Sequence, residues 1–198
     1  MQLLEIIGAV IGLTYLYLEY KANIWLWPVG VIMPIIYVFI FYQSKFYADM
    51  GIYVYYFFAS IYGWYIWIKK SKETDDIAIS HTPLKYLGRL LILFSGLFFF
   101  ILFLLLRFTD SPVPYGDSFT TSLSILAMWM LAHKYIEQWW LWIVVNIVST
   151  VLYVWKGLYP TALLFLIYSI IPFFGYFKWK KMMEEELRIK SEELKVES

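Results

Sequence analysis

From Leu90 to Leu106 the chain carries no charged side chain, and that run constrains the fold more than any other feature. A helix needs about 20 apolar residues to cross the hydrocarbon core of a bilayer, and the segment between Arg89 and Arg107 is close to that length. Further apolar runs separated by short charge clusters give spans near residues 3–20, 24–43, 49–68, 86–107, 116–133, 138–156 and 159–179. The expected fold class is an all-α membrane protein with seven transmembrane helices, because a single helix satisfies its own backbone in lipid. Only 16% of the residues are charged and 62% are apolar. A soluble domain averages about 25% charged residues, so water is the wrong solvent for this chain. Only Lys21-Ala22-Asn23 separates the first two runs, and one long helix competes there; Pro28 and Pro34 favour a break.

The basic residues give a direction. Lys45, Arg107 and Lys156 fall on one side, and the other thirteen Lys and Arg fall on the opposite side. By the positive-inside rule the N-terminus is expected outside and the C-terminus in the cytoplasm. The sequence Met1-Gln2-Leu3-Leu4-Glu5 has no basic n-region, so the first run reads as a retained span. Residues 180–198 alternate basic and acidic side chains and are expected to continue the last helix into the cytoplasm with i,i+4 pairs.

An offset of 112 residues overlays the third span on the seventh: Tyr47 meets Tyr159, Tyr56 meets Tyr168, Gly63 meets Gly175 and Trp67 meets Trp179. Trp27 of the second span meets Trp139 of the sixth at the same offset. A shared offset points to duplication, with three spans, one linking span, then three spans in a like orientation. Parallel repeats of this kind place substrate at their shared interface near mid-membrane. The expected units are 1–68 and 116–179 as three-helix bundles, 69–115 as loop and linking helix, and 180–198 as tail.

Polar side chains in lipid should face protein or a cavity. On the sixth span Trp139, Trp142, Asn146, Ser149, Thr150 and Tyr153 fall within an arc of about 100°. Helix packing also favours Ser, Thr and Asn. Two Trp one turn apart above an Asn add a stacking surface with a hydrogen-bonding group. The equivalent second-span positions are Trp27, Gly30, Pro34, Tyr37 and Phe41, so the site is expected to be asymmetric. On the third span Tyr53, Tyr56, Ser60, Gly63, Trp64 and Trp67 share a face that begins at Asp49. Such rings stack on flat heterocycles and attract cations. Glu5 and Asp117 are equivalent acids at helix starts, where dipole compensation explains them as well as a cation-attracting mouth does. Glu19 is expected to snorkel or pair with Lys21.

His81 and His133 lack metal-ligand spacing, there is no glycine-rich phosphate loop, and no chain of buried acids suits proton or sodium coupling. The expectation is downhill passage without catalysis, metal or cofactor. A net charge of +1 gives no reason to expect a nucleic-acid partner.

The segment Asn23-Ile24-Trp25-Leu26-Trp27-Pro28-Val29-Gly30 resembles the second-span signature of the PnuC family of vitamin transporters. Phe46-Tyr47-Ala48-Asp49-Met50 and Tyr62-Gly63-Trp64-Tyr65-Ile66-Trp67 are similar to its third-span signature. Glu137 to Asn146 resembles its WxxW-xxx-Asn/Asp ligand motif, and Lys156-Gly157-Leu158-Tyr159 follows. The resemblance implies a three-plus-one-plus-three fold similar to the SWEET sugar transporters, located in a bacterial inner membrane. It also implies facilitated diffusion of an unphosphorylated vitamin that a separate cytoplasmic kinase traps; a homo-oligomer is left open. Nicotinamide riboside is the best-known substrate of the family. Here Met33 and Tyr53 stand where members handling that substrate tend to carry Asn and Gln. The segments Ile32-Met33-Pro34 and Gly51 to Tyr56 instead look like the thiamine-carrying PnuT branch. Thiamine is therefore the expected substrate, with nicotinamide riboside transport or non-transporting vitamin binding as alternatives. The expected binding residues are Trp139, Trp142, Asn146, Tyr53, Tyr56, Trp64, Trp27, Ser149 and Tyr153.

Overall fold

The computed structural model describes residues 2–43, 47–73, 78–155, 157 and 159–196. The side chains of Glu5, Tyr47 and Asp49, and all of Lys156, lie outside the described residues. Among the described residues seven α-helices follow one another: α1 (Gln2–Tyr20), α2 (Leu26–Gln43), α3 (Tyr47–Glu73), α4 (Leu84–Phe108), α5 (Pro114–Ala132), α6 (Gln138–Trp155) and α7 (Tyr159–Val196). No strand occurs among the described residues. By length and composition alone, α4, α6 and the Ala162–Glu192 stretch of α7 can each cross a bilayer. Their outward side chains are apolar: Leu91, Ile92, Phe99, Phe100 and Phe103 of α4 are all exposed, and of α4 only Leu102 is buried.

The first two spans are separate helices, not one. The break comes at Ala22, whose φ of 50° lies in the left-handed region and ends α1. The Asn23 side chain then accepts a hydrogen bond from the Trp25 amide at 2.9 Å, which starts the next turn. A turn of the same form joins α5 to α6, where Lys134 has a φ of 52°. The backbone bonds agree at an offset of 112. The Asn23 amide donates to the Leu18 carbonyl as Tyr135 donates to Met130, and Trp27 donates to Ile24 as Trp139 donates to Ile136.

Contacts run α1–α2–α3 and α5–α6–α7, and the two series meet through α3 with α5 and α1 with α7, closing a ring of six helices. The fourth helix packs on the outside of this ring, against α5. The segment 78–83 before α4 is pinned to the α5–α6 turn. The Ser80 amide donates to the Lys134 carbonyl, and the Ser80 carbonyl accepts from Ile136. The Glu137 carboxylate accepts from the Thr82 amide at 2.9 Å and the Thr82 hydroxyl at 2.8 Å, and it lies 2.7 Å from His81 Nδ1. Burial alone would raise the Glu137 pKa, but the His81 and Thr82 hydrogen bonds outweigh it and hold the carboxyl below its usual value.

The last helix continues unbroken through the charged tail. Lys181–Glu185, Glu186–Lys190 and Arg188–Glu192 pair at 3.7, 3.2 and 3.9 Å along its exposed face.

Candidate functional site

Two tryptophan wedges set the frame. The Trp27 ring lies against the backbone of Gly63, and Trp139 lies against Gly175 in the same way. Each wedge meets a second Trp edge-on: Trp27 with Trp67 at 5.4 Å and 84°, Trp139 with Trp179 at 5.5 Å and 87°. The second Trp of each pair bonds the other half of the ring. Trp67 Nε1 donates to the Ala132 carbonyl at 3.1 Å, and Trp179 Nε1 donates to the Glu19 carbonyl at 3.0 Å. Both acceptors lie in the last turn of a helix, where carbonyls lack partners within the helix. These four rings are at most 3% exposed. Trp139, expected as a stacking surface, and Trp27, expected in the binding site, thus have neighbouring rings and glycines across them and hold α6 to α7 and α2 to α3.

The middle of the ring is lined differently. Asn146 is 9% exposed, and its Nδ2 donates to the Tyr168 carbonyl at 3.0 Å. A Cβ built on Gly12 would stand 3.5 Å from the Tyr168 hydroxyl and 3.8 Å from the Met33 Cε, so α1, α2 and α7 meet there. Tyr37 stacks on Tyr53 at 4.9 Å, and Tyr53 meets Tyr56 edge-on at 5.8 Å. The Tyr56 hydroxyl lies by Ser124 of α5. The Tyr15 hydroxyl faces Met128 Sδ at 3.8 Å, and Tyr55 donates to the Ile125 carbonyl at 3.1 Å. These contacts form an aromatic belt with one amide in it.

Of the remaining expected residues, Trp142 buries an indole N–H that has no hydrogen-bond partner. Ser149 is 8% exposed, beside Asn146 on α6. Tyr153 packs on Phe165 at 4.9 Å, toward the α6 end of the belt. Trp64 departs from expectation: it is 36% exposed, on the outer margin of α3. The inward centre of that helix is set by Tyr56, Ser60, Gly63 and Trp67, and Trp64 lies at the edge of their arc. Glu19 also departs from expectation. It is 2% exposed rather than snorkelling, while Lys21 sits over the Tyr17 ring at 5.6 Å. Tyr15 and Gln138 were not singled out by sequence reasoning. Tyr15 had one available signal, its position one helical turn before the acid at Glu19.

Comparison with known proteins identifies the family to which this helical ring, with its aromatic interior and polar amide, belongs. The family model described as nicotinamide mononucleotide transporter matches residues 2–181. The chain belongs to this family. It is 26% identical over 201 residues to the nicotinamide riboside transporter PnuC of Escherichia coli, covering 89% of this chain and 84% of that protein. It is 23% identical over 179 residues to the riboflavin/roseoflavin transporter RibM of Streptomyces davaonensis, covering 88% and 83%. A solved structure, the crystal structure of the vitamin B3 transporter PnuC, superposes with a TM-score of 0.72 at 24% identity over 90% of this chain and 80% of that one. The chain is thus a member of a multi-pass membrane family of vitamin transporters, and its apolar outer surface fits that setting.

Proposed function

We propose that this chain carries a cationic vitamin, nicotinamide riboside in the first instance, down its gradient across a bacterial inner membrane. The observation that carries the reading is the buried Asn146 amide within the belt of Tyr37, Tyr53, Tyr56 and Tyr168, between two wedge-locked halves. Relatives named as nicotinamide riboside transporters favour this substrate over the thiamine expected from Met33 and Tyr53. We read residues 1–68 and 116–179 as like-oriented three-helix bundles in a SWEET-like arrangement, joined by 69–115 and followed by the tail 180–198. Rocking of one bundle against the other exposes the belt to each side in turn. The excess of thirteen basic residues over three supports an orientation with the N-terminus outside and the C-terminus in the cytoplasm. Trp142 and Asn146 hold the ring and its amide, with Ser149 and Tyr153 along the same face and Tyr53 and Tyr56 opposite. Trp27 and Trp139 close the cage at the α1–α2 and α5–α6 turns, and Trp64 serves only at its margin. A separate cytoplasmic kinase traps the product, and the chain itself needs no cofactor.

The thiamine reading keeps one observation in its favour. Met33 comes to the meeting point of Gly12 and Tyr168, so the residue that departs from the riboside pattern faces the proposed cage. An apolar thioether there leaves ribose hydroxyls without a partner and suits a thiazolium ring. Uptake of labelled vitamin into proteoliposomes tests both. Saturable entry and counterflow of nicotinamide riboside, lost in Trp142→Ala and Asn146→Ala, is the expected result. Thiamine counterflow without riboside counterflow changes the substrate. Binding with no counterflow of either vitamin refutes transport in favour of a vitamin-binding protein.

A further inference from the structure

One buried place in the ring exists in two versions. In one, at the end of α1 and the start of α6, Glu19 and Gln138 are 2% and 0% exposed. In the other, 112 residues along in one direction and back in the other, Leu131 and Leu26 are both 0% exposed. The surroundings repeat as well. Each place adjoins a left-handed turn residue, Ala22 or Lys134, and an indole bonded to a terminal helix carbonyl. Two leucines therefore satisfy the packing here, and the fold supplies no reason for a carboxylate.

The polar version is also incomplete on its own. The Gln138 amide lies beside the Glu19 carboxylate, yet Glu19 Oε1 and both amide atoms of Gln138 are buried without a well-formed hydrogen bond. The indole N–H groups of Trp27 and Trp139 are buried without partners too. Lys21, the nearest basic residue in sequence, is engaged with the Tyr17 ring instead. A buried acid with no basic partner among the described residues is costly to ionise, so an arriving organic cation is what would make its carboxylate form favourable, and in a membrane protein such a group marks a path by default. A carboxylate and a carboxamide among aromatic faces complement a flat organic cation that carries its own hydrogen-bonding substituent.

We propose that Glu19 and Gln138 form a second substrate station, which receives the cationic ring at the end of the path where α1 stops. It lies eight residues from Asn146 along α6, or about 12 Å at the rise of a helix, with Trp142 midway. The inference rests on the transport reading above and deepens it: Asn146 selects the vitamin, and Glu19 draws its charge toward release.

The test compares wild type, Glu19→Gln, and a symmetrised variant carrying Glu19→Leu with Gln138→Leu, which copies Leu131 and Leu26. Each is reconstituted in liposomes and given nicotinamide riboside, a cation, or its uncharged 1,4-dihydro form. Both variants are expected to fold, with a melting temperature at or above wild type for the double leucine. Counterflow of the cation should fall by about tenfold or more, the factor for losing one interaction with a charged group, while the uncharged form moves at the wild-type rate. Binding of the cation, followed by tryptophan fluorescence, should stay within about twofold of wild type because Asn146 is intact. Undiminished cation counterflow in either variant overturns the station, as does an equal loss for both forms. A double-leucine protein that fails to fold also overturns it, because the acid would then be structural. If wild type exchanges no vitamin at all, the transport reading fails and the station fails with it.

Discussion

Gly63→Ala places a methyl group where the Trp27 ring now lies, and the expected consequence is a loss of stability with the opposite sign to that of an ordinary helical glycine. In an exposed helix interior, Gly→Ala stabilises by up to about 1 kcal/mol through helix propensity. At Gly63 the new Cβ would overlap three atoms of the six-membered ring of Trp27. That ring cannot swing away, because it is 0% exposed and held edge-on against Trp67. Overpacking of this kind costs roughly 1–3 kcal/mol. For a chain of this size each kcal/mol moves the melting temperature by about 2–4 °C, so a fall of roughly 2–12 °C follows. Gly175→Ala, where the nearest Trp139 atoms would stand at 2.7 and 2.8 Å, should fall by the same mechanism but less. Gly96→Ala is the control, because nothing lies within 4 Å of its added Cβ, and it should be neutral or stabilised. The assay is tryptophan fluorescence or size-exclusion survival of purified protein in detergent on heating. If Gly63→Ala melts as high as Gly96→Ala, the wedge is not a rigid contact and the frame argument fails.

Three further outcomes follow from individual contacts. Trp67→Phe and Trp179→Phe each remove one indole N–H donated to a helix-end carbonyl, and each should cost about 1 kcal/mol in thermal or chemical unfolding; an unchanged midpoint for both counts against the latch between the halves. Met33→Asn with Tyr53→Gln should raise the preference for nicotinamide riboside over thiamine in competitive uptake by about tenfold, the effect of pairing a hydroxyl left unsatisfied; an unchanged ratio would show that neither residue meets substrate. The Glu137 carboxyl is held below its usual 4.5, so its clamp on 78–83 is fully present above that value and is lost as pH falls through the folded-state value. Protease cleavage of the 78–83 segment should therefore rise on acidification below about pH 4.5, and Glu137→Gln should show the higher cleavage already at pH 7; cleavage indifferent to both changes would refute the clamp.

The frame was legible in the sequence because its parts are large and paired. A Trp needs a Gly opposite it to approach a helix closely, and both partners recur at one offset, as with Trp27 and Gly63 against Trp139 and Gly175. Helix limits were legible for a related reason, since charge clusters and the Lys21-Ala22-Asn23 turn interrupt the apolar runs. Periodicity could not settle which side of an arc faces inward. Trp64 shares an arc with Tyr53 and Gly63, yet the inward centre passes through Gly63 and leaves Trp64 at the edge. Glu19 was hidden for a different reason. An acid beside Lys21 at a helix end reads as solvated, whereas its burial comes with tertiary packing that local sequence does not reveal, such as the Trp179 indole that donates to the Glu19 carbonyl from 160 residues away in sequence.

The offset separates frame from chemistry residue by residue. Positions that are identical in both halves, the wedges and their glycines, are needed twice because the same contact is made twice. Positions that differ cannot be explained by the shared frame: Asn146 answers Pro34, Trp142 answers Gly30, Ser149 answers Tyr37, and Glu19 answers Leu131. A molecule moving through a pseudo-symmetric ring is itself asymmetric, so the groups that recognise it must break the repeat. Substitutions at the identical glycines, and at Trp67 and Trp179, should accordingly lower melting temperature, with transport falling only through lost protein. Substitutions at Asn146, Trp142, Ser149 and Glu19 should lower transport while melting is kept. Tyr56 and Tyr168 are the informative exception, identical in sequence yet both in the belt. If Tyr56→Phe and Tyr168→Phe change uptake by the same factor for every vitamin offered, they belong to the frame; a factor that depends on the vitamin would show that the repeat does not divide structure from recognition.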